Sequence, residues 1–197
     1  MTDNLIIERL ENSRVNSKTT IHLQFSLEKN LLPEDSIKFN FPQGFRLSNP
    51  KCFLHKVNIC TEIELLLNER MFVCHGLNIE LKAKVWHAIS IIGVIAPRYS
   101  GIFDGLYLET FEEDSNNVLE RISSLDSISI KPGAITAYLE YTSLKVGERS
   151  EYELKLNPEN GIFLDEEIWI KLPSEFIDMD EYCIISSPTL IQAKGKF

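Results

Sequence analysis

Residues 20–27 alternate polar and apolar side chains without a break, and a related alternation returns 131 positions later. In an extended chain successive side chains point to opposite faces. Ile21, Leu23, Phe25 and Leu27 therefore share one face of a strand, and His22, Gln24 and Ser26 share the other. Residues 36–41 repeat the pattern until Pro42, which lacks an N–H for a ladder and suits the position just past a strand. Further segments of strand character lie at 62–67, 70–74, 86–95, 106–111, 127–130, 134–141, 151–156, 167–172 and 182–185. Helical signal is thin: residues 115–124 could hold one turn or a hairpin connection. Many short strands separated by turn residues predict an all-β chain, an antiparallel sandwich of immunoglobulin-like type.

That displacement constrains the organisation further. It places Cys52 on Cys183, Phe45 on Phe176, Pro42 on Pro173, Ile37 on Ile168, Leu23 on Leu154 and Val15 on Val146. Both stretches read as an alternating strand, an apolar pair, an acidic turn, a second alternating strand, then Pro-x-x-Phe and a cysteine. A slip of one residue would turn every strand inside out, so a preserved period over about 40 residues argues for duplication. The expected organisation is one full repeat over residues 1–131 and a partial second repeat over 132–197, with Lys131-Pro132-Gly133 as the boundary turn. Half a sandwich leaves an open edge and an uncovered face. The second part should therefore be completed by a further segment or by another chain.

Charge narrows the partners. A formal net charge of −9, with Lys and Arg scattered along the chain, lacks the basic concentration that a nucleic-acid surface requires. The longest apolar run, residues 88–97, is about half of the roughly 20 residues needed to span a bilayer, so no membrane insertion is expected in this segment. The first residues show no basic, apolar leader pattern, and none of the 13 asparagines lies in a glycosylation sequon.

Several segments resemble a known family. Leu32-Pro33-Glu34-Asp35-Ser36-Ile37-Lys38-Phe39-Asn40-Phe41-Pro42-Gln43-Gly44-Phe45 is followed by a cysteine. Residues 89–97, Leu108-Glu109-Thr110 and Ile128-Ser129-Ile130-Lys131-Pro132-Gly133 come after it. Together they resemble the immunoglobulin-like repeat modules of very large surface proteins of ciliated protists. The resemblance implies a sandwich fold, an extracellular or cell-surface setting and neighbouring repeats as partners, and it brings no catalytic residues. The sequence has Ala96-Pro97 where the family pattern has Asn-Pro.

Among chemically able residues, Cys52 and Cys60 are the candidate disulfide, with Cys183 as the repeat equivalent of Cys52 and other pairings or free thiols left open. Cys52, His55, Cys60, Cys74 and His75 fit no zinc spacing. Asp178, Asp180 and Glu181 form a possible calcium cluster, as do Glu112-Glu113-Asp114, although neither completes a calcium loop. Motifs for nucleophilic, phosphate or dinucleotide chemistry are missing, so no enzyme is expected. Phe25, Phe39, Phe41, Phe45, Trp86, Phe103, Tyr107 and Phe176 are expected in or near the core. Trp169 should face outward as a contact residue. The expectation is a structural or adhesive binding module that contacts neighbouring repeats and other proteins. A cytoplasmic or ciliary scaffold or cytoskeletal module and a lectin-like carbohydrate binder are the alternatives.

Overall fold

The computed structural model describes residues 4–66, 70–112, 117–143, 145 and 152–159. Regular structure among them is entirely β, and every sheet pairing is antiparallel. One five-stranded sheet has the order β1 (Leu5–Leu10), β2 (Lys18–Ser26), β8 (Trp86–Ile95), β4 (Arg46–Leu54) and β5 (Val57–Asn58). The other has the order β11 (Val118–Ser123), β10 (Tyr107–Phe111), β3 (Ser36–Asn40), β7 (Met71–Leu77) and β6 (Cys60–Leu65). Two short ribbons are separate: β9 (Gly101–Phe103) with β12 (Ile128–Ile130), and β13 (Ile135–Tyr141) with β14 (Tyr152–Pro158).

The two large sheets bury their inner faces in one shared apolar core. Alternation places the side chains: Ile21, Leu23 and Phe25 of β2 point inward, as do Ile37 and Phe39 of β3. Phe39 stacks on Phe72 with ring centroids 5.0 Å apart, and Phe45 meets Phe103 edge-on at 5.7 Å. The core runs along the chain as far as Ile130. On the outer face of the second sheet, Lys38, Glu109 and Arg121 lie opposite one another on three adjacent strands. Lys38 Nζ is 3.1 Å and Arg121 Nη1 3.5 Å from the Glu109 carboxylate, and the Arg121 guanidinium lies 3.9 Å over the Tyr107 ring.

One bulge decides where β8 points. His87, Ile89 and Ile91 face the core, but the next buried residue is Val94 and not Gly93. The β4–β8 register shifts between Leu47 and Lys51, where Ser48, Asn49 and Pro50 crowd against Gly93. Gly93 has a φ of +79°, and a Cβ there would lie 2.6 Å from the Ser48 carbonyl oxygen. Only glycine fits.

Three expectations change. Trp86 is 48 % exposed instead of near the core, because it opens β8 on the side opposite His87 and Ile89. The turn or hairpin connection expected at 115–124 holds a paired strand, β11, over 118–123. The Cys52–Cys60 pairing is corrected: Cys60 of β6 is bonded to Cys74 of β7, with Cα atoms 5.1 Å apart. Cys52 sits on β4 in the opposite sheet, buried with its thiol free. Loop spacing pointed to Cys60, but strand adjacency in the second sheet gave it a different partner.

By compactness the chain divides into Met1–Gly161 and Ile162–Phe197. Lys131 is seated by hydrogen bonds from its N–H to the Ser13 carbonyl and from the Val15 N–H to its own carbonyl. Beyond it, β13 and β14 pair with each other over seven residue pairs, and β13 is exposed along its whole length. In that ribbon Glu140 faces Glu153 and Tyr141 faces Tyr152. At the repeat-equivalent positions of β1 and β2, Arg9 faces His22 and Leu10 faces Ile21. The bulge between Ile7 and Arg9 in β1 has no counterpart in β13.

Candidate interaction surface at the junction pole

The end of the sandwich at which β12 hands the chain to β13 is assembled from four connections. The Pro42–Phe45 turn closes with a hydrogen bond from the Phe45 N–H to the Pro42 carbonyl, and Gly44 takes a φ of +93°. Arg46, the first residue of β4, donates from Nη2 to Asn16 Oδ1 at 2.9 Å, which ties the turn to the β1–β2 connection. Arg70 precedes β7, and its carbonyl accepts from the Phe41 N–H. Arg98 and Tyr99 follow β8, with the Tyr99 ring 5.3 Å from Phe103.

These connections enclose an open cleft of about 670 Å3 lined by Gln43, Gly44, Arg46, Arg70, Arg98 and Tyr99. Phe45 lines it as well, so arginine and aromatic side chains meet at this end of the sandwich. A guanidinium is a planar fork that matches carboxylate or phosphate oxygens, and that of Arg46 is engaged by Asn16. Nothing in the sequence pointed to this cluster, because its arginines are dispersed along the chain and meet only where three connections converge.

At the same pole the junction is held by charge. Arg14 pairs with the Glu159 carboxylate, which also accepts from the Ala134 N–H at 2.9 Å. The Ala134 N–H first, and the Arg14 guanidinium second, hold the Glu159 carboxyl below its ordinary range.

A second polar constellation lies on the outer face of the first sheet. Ser90 Oγ is 2.9 Å from His22 Nδ1, and His22 Nε2 is 3.2 Å from Glu11 Oε1. The composition resembles a nucleophilic triad. However, Ser90 lies in a regular strand paired on both sides, to β2 and to β4. A hydrolase serine sits on a sharp turn with free backbone N–H groups beside it to receive an oxyanion. Here the geometry is a cross-strand polar ladder. Hydrogen bonds from Thr20 and His22 keep the Glu11 carboxyl below its usual value.

Among the described cysteines, Cys60 and Cys74 are bridged and Cys52 is free, its thiol pushed far above its normal range by burial. Cys74 and His75 turn to opposite sides of β7: Cys74 is buried, while His75 Nε2 reaches Glu64 at 3.0 Å. Among the described residues no group of three or more His, Cys, Asp or Glu could hold a metal ion. Trp169, Phe176, Asp178, Asp180, Glu181 and Cys183 lie outside the described residues, as do Glu113 and Asp114. Among the described residues no helix is long and apolar enough to cross a membrane.

No family model matches the chain. No curated protein matches it. Among solved structures, BslA, described as a bacterial hydrophobin, is similar with a TM-score of 0.40 and 15% identity, over 65% of this chain and 95% of that one.

Proposed function

We propose that this chain is a non-catalytic structural or adhesive module of a tandem-repeat surface protein: one immunoglobulin-like sandwich followed by the opening of the next. The observation that carries the reading is the β13–β14 ribbon. It pairs Glu140 with Glu153 and Tyr141 with Tyr152, the repeat equivalents of Arg9–His22 and Leu10–Ile21. The two ladders coincide at these two pairs and differ by one residue on the far side of the β1 bulge. Repeated units of this kind build arrays by stacking.

Strand order supports the immunoglobulin-like assignment. Such sandwiches have sheets ABED and GFC. β1, β2, β8 and β4 occupy the places of A, B, E and D, and β11, β10 and β3 those of G, F and C. The β6–β7 hairpin then extends the GFC sheet beyond C, inserted in sequence between D and E. The Cys60–Cys74 bridge favours an oxidising, extracellular or cell-surface setting over a cytoplasmic or ciliary one, because cytosolic thiols are kept reduced. The proposed partners are neighbouring repeats and other proteins. Adhesion by such arrays gains strength from the number of linked modules.

The coding sequence on both sides of this segment tests the reading. Further units of the same period, with the same Pro-x-x-Phe and cysteine pattern, are expected. Their absence on both sides would end the array interpretation. Thiol counting on non-reduced protein tests the setting: Cys60 and Cys74 reduced in protein taken directly from its source would move it to the cytoplasmic scaffold alternative.

A further inference from the structure

We infer that the outer edge of β6 is a docking site for an extended segment of another protein in which basic and apolar side chains alternate. The ladder of the second sheet sets the geometry. The Leu66 N–H donates to the Met71 carbonyl, and the Phe41 N–H to the Arg70 carbonyl. By the alternation of antiparallel pairing, Met71, Val73 and His75 therefore bond toward β6, while Arg70, Phe72 and Cys74 bond toward β3. Glu62 and Glu64 are the partners of His75 and Val73, so Ile63 and Leu65 turn their N–H and C=O groups to the other side. β6 is the last strand of its sheet, and among the described residues neither Ile63 nor Leu65 has a backbone partner there.

That edge is preformed. The Cys60–Cys74 bridge fastens the start of β6 to β7, and Thr61 Oγ1 donates to the Gly76 carbonyl at 2.6 Å. β6 carries neither of the residues, proline and lysine, that commonly blunt an edge. By contrast, in the edge strand β1 the Ile7 N–H donates to Asp126 Oδ2 at 3.0 Å. The core-side flank of β6 is apolar: Ile63 and Leu65 lie opposite the buried Cys74 and Phe72, and Leu65 is still 44 % exposed.

Charge selects the occupant. One row of side chains crosses the outer face of the second sheet, in which Arg121, Glu109, Lys38, Val73 and Glu64 lie opposite one another in turn. At the β11 end the row closes, because Arg121 is held by Glu109 and by the Tyr107 ring. At the β6 end it stops on carboxylates. His75 Nε2 meets Glu64 at 3.0 Å, and Glu62 has no charged partner among the described residues.

On a strand added to β6, the residues opposite Glu62 and Glu64 fall at the non-bonded positions, where facing side chains lie nearest. Lysine or arginine there continues the row, and apolar residues opposite Ile63 and Leu65 cover the core-side flank. A second copy of β6 is disfavoured, since antiparallel pairing centred on Ile63 sets Glu62 against Glu64 twice. In strand addition of this kind the main chain supplies affinity and alternate side chains supply specificity.

This deepens the structural-module reading by giving the chemistry of one protein partner. It rests on that reading for its setting alone, since missing flanking repeats would end the array interpretation and leave the following titration intact. The full chain is titrated with a capped peptide of alternating valine and lysine. One matched peptide has glutamate in place of lysine, and another regroups the same residues into a lysine block and a valine block. Two more are N-methylated, one on the valines and one on the lysines. Calorimetry gives the affinity, and amide shifts of Ile63 and Leu65 locate the contact.

The alternating lysine peptide should bind, and the glutamate and regrouped peptides should bind at least about tenfold more weakly. Methylating the valines, whose N–H groups face β6, should also cost at least about tenfold, whereas methylating the lysines should cost less than about threefold. Glu62→Gln with Glu64→Gln should weaken binding about threefold to tenfold, while Glu112→Gln, past the end of β10, should change nothing. Comparing the two methylated peptides on the unaltered chain needs no variant to fold. No saturable binding, or equal binding of the two methylated peptides, would overturn the proposal. Regrouped or glutamate peptide bound as tightly as the alternating one would do the same. So would shifts confined to residues away from β6, or a dimer of the free chain that the peptide disperses, which would make a second copy the occupant.

Discussion

At the residue scale, burial and backbone conformation decide which positions tolerate change. Phe39 is fully buried and stacked on Phe72, so Phe39→Ala should cost about 3–5 kcal/mol in chemical denaturation. Trp86 is half exposed at the start of β8, and Trp86→Ala should cost markedly less in the same experiment. Gly93 illustrates a different constraint. Its φ of +79° and the 2.6 Å approach of the Ser48 carbonyl predict that Gly93→Ala loses about 2–3 kcal/mol, although a methyl group is added to a strand. Cys52 is buried with its thiol shifted far up, so thiolate is scarce in the native protein. Alkylation at neutral pH, mapped by mass spectrometry, should leave Cys52 unlabelled until the protein is unfolded.

At the scale of elements, two ties invite measurement. The Cys60–Cys74 bridge closes a 14-residue separation between β6 and β7, and breaking it with Cys60→Ala and Cys74→Ala should lower stability by about 3 kcal/mol. The β13–β14 ribbon is tied to the pole through Glu159. Its carboxyl is held below the ordinary value of 4.5, by the Ala134 N–H and then by Arg14. A depressed folded-state value means that the contribution is present above the unfolded value and disappears as pH falls through the folded one. The Ala134 amide resonance should therefore titrate with a midpoint below 4.5, and Glu159→Gln should abolish that titration. A midpoint at or above 4.5 would mean that the tie does not form in solution.

At the scale of the whole molecule, the buried core among the described residues reaches no further than Ile130, and β13 exposes its full length. A chain ended at Lys131 should therefore unfold in one cooperative calorimetric transition, within a few degrees of the corresponding transition in the full chain. Loss of that cooperativity would show that the interior draws on residues beyond the boundary turn.

The all-β character was legible in the sequence, because residues 20–27 and 36–41 keep an unbroken period of two and many short strand-like segments separated by turn residues accompany them. The sequence also identified β8, β10, β12 and β13 to within a residue or two. It did not reveal β4, because Ser48-Asn49-Pro50 interrupts the alternation and the interruption makes sense only against Gly93 on the neighbouring strand. β11 was obscured by its polar surroundings. The cysteine partner and the arginine cleft were beyond reach for one reason. Each joins residues that no local period connects, and only the packing of two sheets determines which strands and loops become neighbours.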